Sequence, residues 1–163
     1  MEIFKSKKIS IHNKTGFSFI EIIVIIAVIG ILVSAVVPQF SKIRQRQVLK
    51  SAAADILSSL DKARTETLSS LNSSEYGVYF EADKVTIFKG TTFTANSPDN
   101  EVVLLTDPAN ISNVTFGGVS SSSGSLYFNR LSAAPNTYGT VTVNTPSYTK
   151  TITISATGMS SIN

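Results

Sequence analysis

The sequence predicts an α+β protein: one long N-terminal helix, and a β-rich C-terminal head packed on the second half of that helix, a lollipop in outline. Three observations predict it. Residues 17–37 form an apolar run of 21 residues that contains a single charge, Glu21. From Gln39 to Leu71 apolar residues recur three and four apart, with no Gly or Pro between them. Past residue 75 the chain turns to short aromatic and β-branched runs separated by turn residues. The expected divisions are a basic leader over 1–16, a transmembrane or assembly helix over 17–37, an amphipathic continuation over 38–72, and the head over 73–163.

The apolar run comes first in the argument because its length has a direct physical meaning. At 1.5 Å per residue it makes a helix roughly 31 Å long, enough to cross the hydrocarbon core of a bilayer. Glu21 sits one turn from its start. A charge at membrane depth costs at least about 2.5 kcal/mol on insertion scales, so this carboxylate demands a partner. Pro38 removes a backbone donor and is expected to kink the helix, and Gly30 lowers helix propensity by about 1 kcal/mol.

Composition removes several functions. The formal charge is +3 and the pI is near 9.2. The first 16 residues, with Lys5, Lys7, Lys8 and Lys14 against Glu2, carry the whole excess, and the remainder is neutral. A general affinity for nucleic acid is therefore not expected. Cysteine is absent and the only histidine is His12, within the leader. Once the leader is removed, Cys–His and Ser–His–Asp chemistry and nearly all zinc sites are excluded. No nucleophile–base pair is visible, so the chain is not expected to be an enzyme, and no cofactor or metal is expected.

Residues 1–16 followed by an apolar run also suit an ordinary secretory signal, with Val33-Ser34-Ala35 as the cleavage site. The length of the run and the early charge argue against it, and an uncleaved anchor is a further alternative. Basic residues number four on each side of the run, Lys42, Arg44, Arg46 and Lys50 being those that follow it, so charge bias alone leaves orientation open.

Lys14-Thr15-Gly16-Phe17-Ser18-Phe19-Ile20-Glu21 resembles the processing site of type IV prepilins and type II secretion pseudopilins: a basic leader, a glycine, a phenylalanine, and a glutamate at the fifth position after the cut. The likeness continues through Gly30 and Pro38. It implies a pilin-like fold, cleavage between Gly16 and Phe17 by a membrane-embedded prepilin peptidase, and N-methylation of Phe17 by the same enzyme. It also implies a cytoplasmic leader, a single pass through the bacterial cytoplasmic membrane, and a head in the periplasm or outside the cell. Glu21 then has a partner, because cleavage creates a positive amine on Phe17 of its own chain or of a neighbour. The resemblance implies that Glu21 registers an incoming subunit and that the stretch between Gly30 and Pro38 unwinds as subunits pack. The implied partners are the peptidase, other pilin or pseudopilin subunits, the inner-membrane assembly platform, and the lipid bilayer before assembly.

In the amphipathic half the stripe is expected at Ala53, Ile56, Leu57, Leu60, Ala63, Thr67, Leu68 and Leu71. Lys62 and Glu66, four apart, read as a solvent-exposed pair on the opposite face. The basic cluster from Lys42 to Lys50 reads as a solvated helix face, with anionic lipid headgroups as the alternative. Asn72-Ser73-Ser74 is expected to end the helix. Seven strands are predicted: Tyr76 to Phe80, Val85 to Phe88, Glu101 to Thr106, Ile111 to Gly117, Ser125 to Leu131, Thr140 to Asn144 and Tyr148 to Ser155. Glu81 to Lys84 and Thr145-Pro146-Ser147 serve as hairpin connections, and Ser120 to Gly124 as a flexible loop.

The head resembles the H-type minor pseudopilins and related minor pilins through Ala63-Arg64-Thr65-Glu66, Tyr76-Gly77-Val78-Tyr79-Phe80, and Ile152-Thr153-Ile154-Ser155 with Gly158. The calcium-site motif of the major pseudopilin and the cysteine-closed loop of many pilins are missing. Asp99-Asn100-Glu101 and Asp107-Pro108-Ala109-Asn110 read as solvated turns and not as calcium loops. Asn110 and Asn113 begin glycosylation tripeptides of a kind common by chance. From Asn72 onward the head has four basic and six acidic residues, which leaves only a local patch around Arg130 and Lys150 for DNA. The resemblance as a whole implies a structural subunit that polymerises as a minor pseudopilin in type II protein secretion. The alternative is a type IV minor pilin in adhesion, motility or DNA uptake.

Overall fold

The computed structural model describes residues 16–163; the leader up to residue 15, with Lys14 and His12, lies outside the described residues, as do the side chains of Ala35, Val37 and Pro38. Helix α1 spans Phe19–Leu68, and Glu21 is the acidic residue of its first turn. It continues through Gly30 and Pro38 without a change of helical type. The chain divides into a unit that ends at Gln39 and a second unit, Phe40–Asn163.

Nine strands follow α1 within the second unit: β1 Tyr76–Phe80, β2 Lys84–Lys89, β3 Glu101–Leu104, β4 Asn110–Phe116, β5 Val119–Ser121, β6 Gly124–Phe128, β7 Gly139–Thr145, β8 Tyr148–Ile154 and β9 Ser160–Ile162. They form two antiparallel sheets, ordered β3-β2-β1-β6 and β5-β4-β7-β8-β9. Alternation selects the core face of each. Val78 lies opposite Ile87 and Leu126, and Phe80 opposite Val85, all buried. In the other sheet Val141 pairs with both Val114 and Ile152. These side chains and Leu49, Ala52, Ala53, Ile56, Leu60 and Ala63 of α1 form one hydrophobic cluster. Packing against two sheets, and not propensity alone, therefore fixes the amphipathic half of the helix.

The helix ends three residues earlier than its stripe predicts. Leu68 and Leu71 are exposed and Leu57 is half-buried, while Leu49, Ala52 and Ser59 join the buried face. Thr67 supplies the physical reason. Its hydroxyl donates to the carbonyl of Ala63 at 2.8 Å and accepts the Tyr76 N–H at 2.9 Å, so the buried face closes there onto the start of β1. A short 3-10 turn, Leu71–Ser73, with left-handed Ser70, Asn72 and Ser73, reverses the chain.

Two strands went unpredicted. The serine-rich loop contains β5, which pairs with β4 through the left-handed pair Gly117-Gly118. Strand β9 pairs with β8 after a turn in which Gly158 has φ near +80. Both are three-residue edge strands whose backbone pairing is set by a neighbour and not by their own apolar pattern. Lys84 belongs to β2 and not to the preceding loop, and the strand expected to run to Leu131 stops at Phe128.

Candidate functional site

The described part of the stretch that resembles a processing site, Gly16 to Glu21, runs into the start of α1. Gly16, Phe17 and Ser18 precede the helix, and the Ser18 carbonyl accepts the N–H groups of Glu21 at 3.0 Å and Ile22 at 3.3 Å. Ser18 therefore stands at the cap and Glu21 at the third helical position. The carboxylate is thus held near the partial positive charge of the helix terminus. Nothing within 4 Å occupies the space a side chain on Gly16 would fill. Gly30 is equally open.

Beyond Glu21 the first unit presents hydrocarbon. Phe17 is 76% and Phe19 80% exposed, and the Ile, Leu and Val side chains described from Ile20 to Val36 are all exposed. α1 is long and apolar enough to cross a membrane, its most apolar 18-residue window having a mean hydropathy of 3.1 and no buried residues. Burying one such side chain is worth about 1.5–3 kcal/mol, so the row presents a large surface for lipid or for other helices.

In the head, two residues within the family likeness, Arg64 and Gly158, lie close together. A Cβ on Gly158 would lie 2.4 Å from the Ala133 carbonyl oxygen and 3.1 Å from the Nε of Arg64. Ala63, one position before Arg64, is fully buried. A Cβ on Gly77 would lie 2.4 Å from the Phe88 ring and 2.5 Å from the Leu126 carbonyl oxygen. At both glycines the backbone packs too closely for a side chain, which is a folding role.

Charged groups are arranged differently from the sequence expectation. Lys62 pairs with Glu101 of β3, across the fold, and not with Glu66. Glu101 as hydrogen-bond acceptor raises the Lys62 pKa above its ordinary 10.5; burial opposes the rise, and the charges of Glu101 and Glu66 add to it. Arg130 and Lys150 do not form a shared patch. Arg130 borders a cavity with Glu75, Asn129, Leu131 and Ser132, whereas Lys150 borders another with Arg46, Lys50 and Tyr148. Arg46 lies 4.6 Å above the centroid of the Tyr148 ring, a contact that the sequence reading missed. No sequence pattern joins a helix cation to a strand tyrosine about a hundred residues away. Asp107 precedes a cis peptide bond to Pro108, and among the described residues no three His, Cys, Asp or Glu side chains gather as a metal group.

No curated protein and no solved structure matches the chain. The family model described as type II transport protein GspH matches residues 52–158, which takes in the end of α1, strands β1 to β8 and Gly158. Residues 14–21, which resemble a prepilin processing site, lie outside that match. The match covers more than half of the chain and places it in the GspH family of type II transport proteins, as a pseudopilin subunit of type II secretion.

Proposed function

We propose that the chain is a minor pseudopilin, made as a precursor and polymerised into the pseudopilus of type II secretion. In this reading the precursor resides in the bacterial cytoplasmic membrane with its N-terminus in the cytoplasm and its head in the periplasm. Prepilin peptidase hydrolyses the Gly16–Phe17 bond, leaving a carboxylate on Gly16 and an amine on Phe17 that is then methylated. The assembly platform draws the helix from lipid into a filament core. The observation that carries the reading is the uncovered apolar row of α1 with Glu21 in its first turn, in a chain whose head belongs to a pseudopilin family. In lipid the row is covered by acyl chains; in the filament it is covered by the helices of neighbours. In both settings the Phe17 amine and Glu21 neutralise each other, within one chain or between two.

The reading is tested by mass spectrometry of the N-terminal peptide of the membrane-extracted protein. A chain beginning at N-methylated Phe17 is expected. A chain beginning at Val36, as an ordinary signal peptidase leaves it, or at an intact Met1 overturns the proposal. The match to a type II transport family favours a pseudopilus over a type IV pilus. Loss of exoprotein secretion, with surface pili unchanged, is the expected outcome of deleting the gene.

A further inference from the structure

The head from Asn72 onward has more acidic than basic residues, yet the charged side chains that border one concavity within the second unit are all cationic. This cavity of about 490 Å³ is lined by Arg46, Leu49 and Lys50 of α1, by Tyr148, Thr149 and Lys150 of β8, and by Asn163. Arg46 and Lys50 are one helical turn apart and share a face. Tyr148 and Lys150 are two apart on a strand and also share a face. The Tyr148 ring beneath the Arg46 guanidinium holds that side chain over the cavity. The ion pairs among the described residues, Lys62–Glu101 and Lys84–Glu81, lie elsewhere, so none of these three cations has a carboxylate partner there. Three like charges around one hollow focus a positive potential into it. A planar guanidinium and two ammonium groups are the usual donors to a phosphate.

The segment of α1 that leads to this cavity points to the source of the phosphate. Exposed Phe40 and Ile43 alternate there with exposed Lys42 and Arg44, and Arg46 follows nine residues after Val37, where the apolar run ends. Apolar, aromatic and cationic side chains mixed in this way are the composition of a membrane interface. We propose that Arg46, Lys50 and Lys150, gathered around Tyr148, hold the phosphodiester of an anionic phospholipid while the subunit waits in the bilayer. The proposal rests on the membrane reading of residues 17–37. It gives the subunit a lipid contact that must be released when the helix enters a filament, so headgroup binding opposes premature extraction.

The experiment uses the full chain in nanodiscs of phosphatidylcholine alone or of phosphatidylcholine with phosphatidylglycerol. An amine-acylating reagent is added, and the rate at each lysine is read by peptide mass spectrometry. With phosphatidylglycerol, Lys50 and Lys150 are expected to react more slowly by on the order of fivefold, the factor corresponding to about 1 kcal/mol per basic side chain at an anionic surface. Lys84 and Lys89 are expected to be unchanged. In Lys150→Glu, a variant at a half-buried position of the rim and checked for native circular dichroism, the protection of Lys50 is expected to disappear while the chain stays in the disc. Equal rates in the two lipids overturn the proposal. So does protection of Lys42 equal to that of Lys50 and indifferent to Lys150→Glu, which is a diffuse surface layer. Protection that requires added duplex DNA or another subunit's acidic head assigns the cavity to that partner and overturns it too. A chain that does not remain in discs of either composition overturns the membrane reading itself, and is distinguished from the other outcomes by that loss.

Discussion

At the scale of single residues, Glu21 has two physical roles that its position alone does not separate. With the Ser18 carbonyl capping the first turn, Ser18-Phe19-Ile20-Glu21 has the spacing of a capping box, in which Glu or Gln serves equally. Pairing with a charged amine requires Glu. Glu21→Gln is therefore expected to keep the helix start and the Gly16 cut but to reduce incorporation into filaments as severely as Glu21→Val does. The measurement is the ratio of processed to sheared, filament-borne subunit; incorporation of Glu21→Gln at the wild-type level would falsify the charge-pairing role. The helix at this end of the chain was legible in the sequence because its signal is strictly local, one long apolar run. The Arg46–Tyr148 contact was not, because the fold alone brings those residues together.

At the scale of elements, apolar patterning revealed those segments that bury a face and missed those that do not. β7 alternates and β1 is buried almost throughout, and their predicted and observed limits differ by at most one residue. β5 and β9 follow no such pattern and exist because an adjacent strand offers unpaired backbone groups. The Lys62–Glu66 reading failed for a related reason. A spacing of four allows a helical pair, but β3 places a second carboxylate, Glu101, closer to the ammonium. That contact makes a pH-dependent prediction. The folded pKa of Lys62 is raised above 10.5, so its contribution to stability is fully present below about pH 10.5 and is lost as pH rises through the higher folded value. Both partners are largely solvent-exposed, so the contribution is expected to be under about 1 kcal/mol. Melting curves of wild type and Lys62→Gln are expected to differ by a few degrees at about pH 8 and to approach each other as pH rises beyond about 10.5. A gap that is unchanged or widens at high pH shows that Lys62 acts through packing of its stem and not through Glu101.

At the scale of the whole molecule, the division at Gln39 makes processing and head folding separable. The proposed peptidase site spans residues 14–21, and its described part lies in the first unit, whereas every buried hydrophobic side chain of the core lies in the second. Gly158 tests this from the far end. Its φ of +80 is strained for any residue with a side chain, and a Cβ there meets the Ala133 carbonyl oxygen at 2.4 Å, a backbone atom that cannot swing away. Gly158→Ala is therefore expected to destabilise the head by about 1–3 kcal/mol, combining left-handed strain with displacement of the buried Ala133 loop. In a unit of this size that lowers the melting temperature by several degrees. Cleavage after Gly16 and methylation of Phe17 are expected to proceed as in wild type, because the peptidase acts on a segment that contributes nothing to the core. Glu21→Val is expected to show the converse, an unchanged head melting temperature with failed assembly. If Gly158→Ala blocks cleavage while the protein still reaches the membrane, the two units are coupled during processing. The head would then be part of what the peptidase requires.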